Sequence, residues 1–250
     1  MHHIKFGNID FATEEMYVFS EGAYSAPSRD VSKESVLGRN GDIIVDNGRY
    51  NNTVARFTVH ITEDVPRNID RLKYLLYSQK GYQRLYDSSH KGFYRMACFT
   101  DGFDFSDAER GNVFLTFDCK PQKYSIAGDE WVDVPPEEVE IVDLVNPFFE
   151  KANPLIEIYG SGNTSGSISF SNSDNLTKDD YVINFQKPIL GALQIDTEMQ
   201  QARIVLAEGG EYYNGARYVD NLFVQLSPGT TAVKLSGGFS ARIKPRWWTI

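Results

Sequence analysis

A mainly β fold in two domains is what this sequence predicts. Three observations carry the prediction. The chain holds 14 Tyr and 16 Phe among many Thr and Val, with Gly, Asn, Asp and Ser clusters at short intervals, the composition of strands joined by tight turns. Several runs alternate apolar and polar residues. A proline-rich, acidic stretch near the middle then breaks that pattern. With 250 residues, the chain suits one large or two modest domains, and either buries a sizeable core.

The elements follow in order. Residues 53–61 read as a strand with Phe57, Val59 and Ile61 on one face and Arg56, Thr58 and His60 on the other. Val113, Leu115, Phe117 and Cys119 form a second period-two face. Residues 82–86 and 93–99 flank a turn-like Asp87-Ser88-Ser89-His90-Lys91-Gly92, which predicts a hairpin. One helix is expected between residues 61 and 82. Asp64 stands at its cap, Pro66 in its first turn, Ile69, Leu72 and Leu76 at helical spacing, and Gly81 after its end. Its apolar stripe is read as packing onto a sheet.

Pro121, Gly128, Pro135-Pro136, Pro147 and Pro154 punctuate the acidic middle, so a linker is expected near residues 130–150. The expected domains are residues 1–137 and 138–250. In the second half, strands are expected at 155–159, 166–171, 181–185, 202–207, 218–226, 232–235 and 239–243. Residues 161–165, 171–175, Gly209-Gly210 and Ser227-Pro228-Gly229 supply the turns. Short strands at this spacing point to an antiparallel sandwich.

The formal charge of −9 is shared by both halves, and no basic run exists. This argues against affinity built on neutralising nucleic-acid phosphates. No window reaches the ~18–20 apolar residues of a membrane span. The N-terminus does not read as a secretory signal, because Gly7, Asn8 and Asp10 stand where an apolar core belongs. Cys98 and Cys119 are therefore expected as reduced thiols on strands.

The residues offer little catalytic chemistry. His2, His3, His60 and His90 are scattered, and no H-x-H, H-E-x-x-H or G-x-S-x-G motif is present. The glycine-rich residues 160–166 lie between strands and lack the following G-K-[ST] of a phosphate cradle. Asp101, Asp104 and Asp107 read as a polar turn, without the ligand density of a calcium loop. Trp131, Trp247, Trp248, Tyr212 and Tyr213 are candidates for stacking on a sugar, although one of Trp247 and Trp248 is expected to close the core. No catalytic residue, cofactor or metal site is expected.

Several stretches, in order, resemble the distal tail (Dit) family of siphophages. They are residues 4–8, then Leu37-Gly38-Arg39-Asn40-Gly41-Asp42-Ile43, then residues 46–52, the helix from Pro66 and the hairpin of residues 86–94. Phe117-Asp118-Cys119-Lys120-Pro121-Gln122-Lys123-Tyr124 is similar to the family's F-x-C-x-P-x-x-Y signature. Asn146-Pro147 and residues 154–162, 193–198 and 226–229 continue the match.

The resemblance implies a non-enzymatic virion protein of the tail tip or baseplate, assembled in the host cytoplasm. An N-terminal β-domain with one helix and a protruding hairpin would form a homohexameric ring. The ring would join the major tail-tube protein to the tail-associated tip protein, with genome DNA passing through its lumen unbound. A C-terminal galectin-like β-sandwich would lie outside and, in some members, dock receptor-binding proteins. Galectin-type sugar motifs are missing, so the sandwich implies fold rather than sugar binding. The polar segments Gly38, Arg39, Asn40, Gly41 and Asp42, and Ser88, Ser89, His90 and Lys91, are the expected protein contacts. The alternative reading is a lectin-like module that binds host cell-wall saccharide.

Overall fold

The structure, a computed structural model, describes residues 2–13, 15–18, 23–102, 110–136, 141–161, 165–172, 180–205 and 213–250. The chain packs as two compact units, residues 1–123 with Ile250, and residues 124–249. This division falls earlier than the expected 137/138 junction, and residues 137–140 themselves lie outside the described residues.

The first unit opens with β1 (Ile4–Phe6), β2 (Ile9–Asp10), β3 (Met16–Val18) and β4 (Ala23–Tyr24). It continues with β5 (Arg29–Glu34), β6 (Ile43–Tyr50), β7 (Thr53–Ile61) and helix α1 (Val65–Ser78). It closes with β8 (Gln83–Asp87), β9 (Phe93–Cys98) and β10 (Asn112–Ser125). The main sheet runs β2-β1-β8-β9-β10-β7-β3, and β4 also pairs with β7. In β7, Ala55, Phe57, Val59 and Ile61 are buried, and in β10 so are Val113, Leu115, Phe117 and Cys119. Both period-two faces therefore point inward as expected. Phe117 is the hub of this core, 4.8 Å from the Phe6 ring, 5.6 Å from Phe99 and 6.0 Å from Phe57.

Helix α1 lays Ile69, Leu72 and Leu76 onto the same core. At ~25 cal/mol per Å² of apolar surface, such side chains each contribute roughly 1.5–3 kcal/mol. Asp64 occupies the cap position but makes no side-chain cap bond, because its backbone is left-handed (φ 36). The Asn68 side-chain amide instead donates to the Glu63 carbonyl at 2.7 Å. The helix ends at Ser78 with Gln79 at its cap, so Gly81 (φ 65) turns the chain only after the helix has stopped.

The second unit holds β11 (Val132–Val134), β12 (Val142–Asn146), β13 (Leu155–Ser161), β14 (Gly166–Asn172) and β15 (Tyr181–Phe185). Then come β16 (Leu190–Asp196), β17 (Gln201–Val205), β18 (Tyr213–Asn214), β19 (Gly229–Ser236) and β20 (Ser240–Lys244). Two antiparallel sheets result, β11-β20-β13-β16-β17-β18 and β12-β19-β14-β15. Ile156, Ile158, Leu193, Ile195 and Ile243 from the first meet Ile168, Phe170, Ile183, Val233 and Leu235 from the second in one core. This is the expected sandwich.

Three expectations need correction. The stretch read as a linker contains β11 and β12, each paired at its full length to β20 and β19. Residues 218–226 form no strand. The chain there makes single bridges at Val219 and Leu226, while Asn221 bonds its own neighbourhood through the Phe223 N–H and carbonyl. Residues 190–196, where no strand is expected, form β16 between β13 and β17. The expected turns at residues 173–175 and Gly209-Gly210, residues 103–107 of the Asp101–Asp107 turn and residues 162–164 of the 160–166 turn lie outside the described residues.

Trp247 is buried and Trp248 half-buried, its indole N–H donating to the Lys151 carbonyl at 3.0 Å. Gly128 makes this closure possible, since a Cβ there would stand 2.4 Å from the Trp247 nitrogen.

Candidate functional site: an exposed ribbon and a polar pocket

Strands β5 and β6 form a two-stranded antiparallel ribbon that belongs to no larger sheet. Its base is closed by the Asn51 N–H donating to the Ser28 carbonyl at 2.9 Å. The register pairs Ser32 with Val45, Lys33 with Ile44 and Glu34 with Ile43, after an irregularity between Arg29 and Val31. At the tip, Gly38 (φ 79) and Gly41 (φ 82) take left-handed backbone that a residue with a Cβ avoids. Ion pairs brace the base: Arg29 to Asp46 at 3.0 Å and Arg49 to Asp30 at 2.5 Å. Hydrogen bonds from Arg49 and Asn47 hold the Asp30 carboxyl below the usual range. The Gly48 N–H and Arg29 do the same for Asp46.

Nearly every residue of the ribbon is exposed. Val36, Leu37, Ile43, Ile44 and Val45 are among the exposed apolar residues, and Leu37 is fully so. An isolated two-stranded hairpin is marginal in water and gains stability from a further packing surface. Contiguous exposed apolar residues mark interaction sites. Gly38, Arg39, Asn40, Gly41 and Asp42 sit at the outer end of this ribbon, all exposed.

The second candidate segment is placed differently. Ser88, Ser89 and His90 form a 3-10 turn between β8 and β9. Ser88 exchanges bonds with His3: its N–H donates to the His3 carbonyl, and its Oγ accepts from the His3 N–H, both at 2.9 Å. Ser88 and His90 are half-buried, whereas Ser89 and Lys91 are exposed. Asp87, buried, anchors the turn by accepting from the Ser89 N–H at 2.8 Å. It also accepts the Tyr24 hydroxyl at 2.6 Å and faces His2 Nε2 at 3.1 Å. Burial and this bond to Asp87 push the Tyr24 hydroxyl pKa far above its ordinary value. Beside Asp87 lies a small, half-open pocket walled by Tyr24, Phe93, Tyr94, Arg95 and Lys123. Nothing in the sequence pattern singled out Arg95, which sits in a strand beside a tyrosine.

The remaining candidates resolve into structural roles. His60 Nδ1 lies 2.8 Å from the Asn112 side-chain oxygen. Cys98 and Cys119 are free. The Trp131 ring is covered by Arg242 at 4.4 Å and Lys244 at 5.0 Å. Arg242 in turn pairs with Glu157 at 2.6 Å, and Glu157 accepts from Tyr159 and Gln194, each at 2.7 Å. Burial works to raise the Glu157 pKa, but these hydrogen bonds outweigh it and hold the carboxyl low. Tyr212 lies outside the described residues. Among the described residues, no group of three or more His, Cys, Asp or Glu is arranged to hold a metal, and no helix is long and apolar enough to cross a membrane.

A β unit with one helix and a bare ribbon, joined to an antiparallel sandwich, defines a fold of mainly β two-unit proteins. Solved structures share it end to end. The chain is similar to the Dit protein of phage SPP1, described as a paradigm of the hub adsorption apparatus in phages infecting Gram-positive bacteria. The two are 18% identical, 100% of each chain is covered and the TM-score is 0.68. It is also similar to a chain of the phage P2 baseplate in its activated conformation with calcium, at 13% identity, 97% of each chain and a TM-score of 0.55. The strontium form of that baseplate gives 12% identity with the same coverage and TM-score. The expected Dit-like fold is thus observed. No family model matches the sequence, and no curated protein does.

Proposed function

We propose that this chain is a non-enzymatic structural component of a siphophage tail tip or baseplate, a Dit-type hub. Six copies would close a ring through the unit of residues 1–123, joining the tail-tube protein to the tip protein, with DNA passing through the lumen. The observation that carries the reading is the end-to-end likeness of fold to SPP1 Dit. The ribbon supports it, because a cyclic ring needs one patch that meets a different patch on the next copy. Gly38, Arg39, Asn40, Gly41 and Asp42, with the apolar residues behind them, are the proposed contact on one side. The 88–91 turn, through exposed Ser89 and Lys91, is proposed as a second contact. The sandwich is the proposed dock for receptor-binding proteins. The saccharide reading is weaker, since cations already cover the Trp131 face.

Mass photometry of the purified protein at rising concentration, alone and with the tip protein, tests the ring. A six-copy species is expected in at least one condition. Its absence from both, with no six-fold disc at the tube end in averaged virion images, overturns the reading.

A further inference from the structure

Glycine follows asparagine at three places in the chain, Asn40-Gly41, Asn47-Gly48 and Asn214-Gly215. At such a step an asparagine loses its amide most easily. The glycine nitrogen has no Cβ beside it as a shield, and its backbone turns freely toward the preceding side chain. The rate then depends on what holds the two groups, and the three steps are held differently.

Asn214-Gly215 is locked. The Gly215 N–H donates to the Ala202 carbonyl at 2.8 Å, and the Asn214 side-chain oxygen accepts from the Ala216 N–H at 3.0 Å. Gly215 is also buried, with the Leu193 side chain and the Arg203 nitrogen within 2.8 Å of where a Cβ would stand. Asn47-Gly48 is exposed in strand β6, yet its groups are engaged. The Gly48 N–H donates to Asp46 Oδ1 at 2.9 Å, and the Asn47 amide donates to Asp30 Oδ1 at 3.2 Å. The Asp46 carboxylate also opposes deprotonation of that N–H, which would set one anion beside another.

Asn40-Gly41 has none of these restraints. Both residues are exposed at the outer end of the ribbon. They lie just past the turn in which the Arg39 N–H donates to the Val36 carbonyl. Among the described residues, neither the Asn40 amide nor the Gly41 N–H has a hydrogen-bond partner. Apart from its chain neighbours, nothing lies within 4 Å of the Cβ position at Gly41.

We propose that Asn40 is a self-modification site, which loses its amide through a cyclic imide closed with Gly41. The Gly41 nitrogen attacks the Asn40 side-chain carbonyl carbon and forms a C–N bond. The side-chain nitrogen leaves as ammonia, taking the proton of the Gly41 N–H. Water then opens the imide at either carbonyl. One opening gives an aspartyl residue, and the other gives an isoaspartyl link that carries the backbone through the side chain. Residues 35–42 hold one cation, Arg39, and one anion, Asp42, so either product turns a neutral tip negative. Old and new copies then differ at a segment proposed above as a contact. The chemistry itself does not depend on ring formation.

Incubation of the full-length protein at mildly alkaline pH, with peptide mass mapping at intervals, tests it. Trypsin leaves Asn40 and Asn47 on one peptide, residues 40–49, so fragment ions assign the amide-to-acid mass gain. At Asn47 two hydrogen bonds must open first, and their typical net worth converts to roughly tenfold in rate. The gain at Asn40 is expected to lead Asn47 by that factor, and Asn214 by more. It should divide between aspartyl and isoaspartyl peptides, which separate by chromatography. In urea that unfolds the chain, the three sites should react at similar rates. No gain at Asn40, an equal gain at Asn47 or Asn214 in the folded protein, a purely aspartyl product, or a lead that persists in urea overturns the proposal.

Discussion

Arg246 grips Asp196 with both prongs of its guanidinium, Nη1 donating to Oδ1 and Nη2 to Oδ2, each at 2.9 Å. Asp196 Oδ1 also accepts the N–H groups of Glu198 and Met199 at 3.1 Å, which shapes the turn between β16 and β17. The pair holds Arg246 in left-handed backbone (φ 57), a conformation it would otherwise avoid. Burial alone would raise the Asp196 pKa, but Arg246 and the backbone donors outweigh it and keep the carboxyl low.

Because the folded pKa is depressed, this pair contributes stability above the ordinary carboxylate range and loses it as pH falls through the folded value. Asp196→Asn is therefore expected to cost ~3 kcal/mol at neutral pH, the lower end for a buried pair because both side chains retain some exposure. The gap between variant and parent should begin to narrow below about pH 4 and close only as pH falls further, through the depressed folded value. Urea unfolding at both pH values measures it, and an equal gap at both would contradict the assignment.

The ribbon predicts a separation of folding from assembly. Ile44 is 64% exposed, so Ile44→Asp should alter the melting of the single chain by no more than about 0.5 kcal/mol. The same change should abolish the six-copy species in mass photometry if the ribbon is the ring contact.

Burial separates the two thiols. Desolvation pushes the Cys119 pKa up to about 12, which leaves almost no thiolate at mildly alkaline pH. Cys98 is half-buried on the neighbouring strand. Reaction of the native protein with a thiol-directed disulfide reagent should therefore label Cys98 first and Cys119 only on unfolding, as peptide mass mapping would show.

The division between units is also testable. Val132, Asp133 and Val134 pair with Ile243, Arg242 and Ala241, so residues 124–136 complete the edge of the second unit's larger sheet. A fragment of residues 124–250 should give a dispersed amide spectrum and melt higher than one of residues 138–250. Equal melting points would favour the junction expected from Pro135-Pro136.

Much of this architecture was legible where burial follows a local period. Residues 53–61 and 113–119 alternate because one face of each strand meets the core, and α1 shows its stripe for the same reason. β12 was hidden because Asn146 occupies an inward position, where its amide reaches the Glu150 and Leu226 carbonyls. Only the tertiary fold supplies those acceptors. The two candidate contact segments look alike in composition, yet one is exposed throughout and the other is bonded to His3. That bond joins residues 85 positions apart, a separation that no local pattern reports. The Arg95 pocket was invisible for the same reason, since its walls come from β4, β8, β9 and β10.

The ribbon leaves the sheet at Tyr24 and returns at Thr53, and these points are neighbours. Tyr24 pairs with Ala55 in the β4–β7 ladder, and the Thr53 hydroxyl donates to the Ser25 carbonyl. The intervening segment is thus a detachable excursion, spliced in at one spot without interrupting any strand of the sheet. Changing the length of such an excursion adjusts loop-closure entropy only slowly, about 0.6 kcal/mol per doubling. A fluorophore or epitope grafted between Gly38 and Gly41 would ride on the outer end of this arm, giving a reporter of its surroundings at little expense to the host fold.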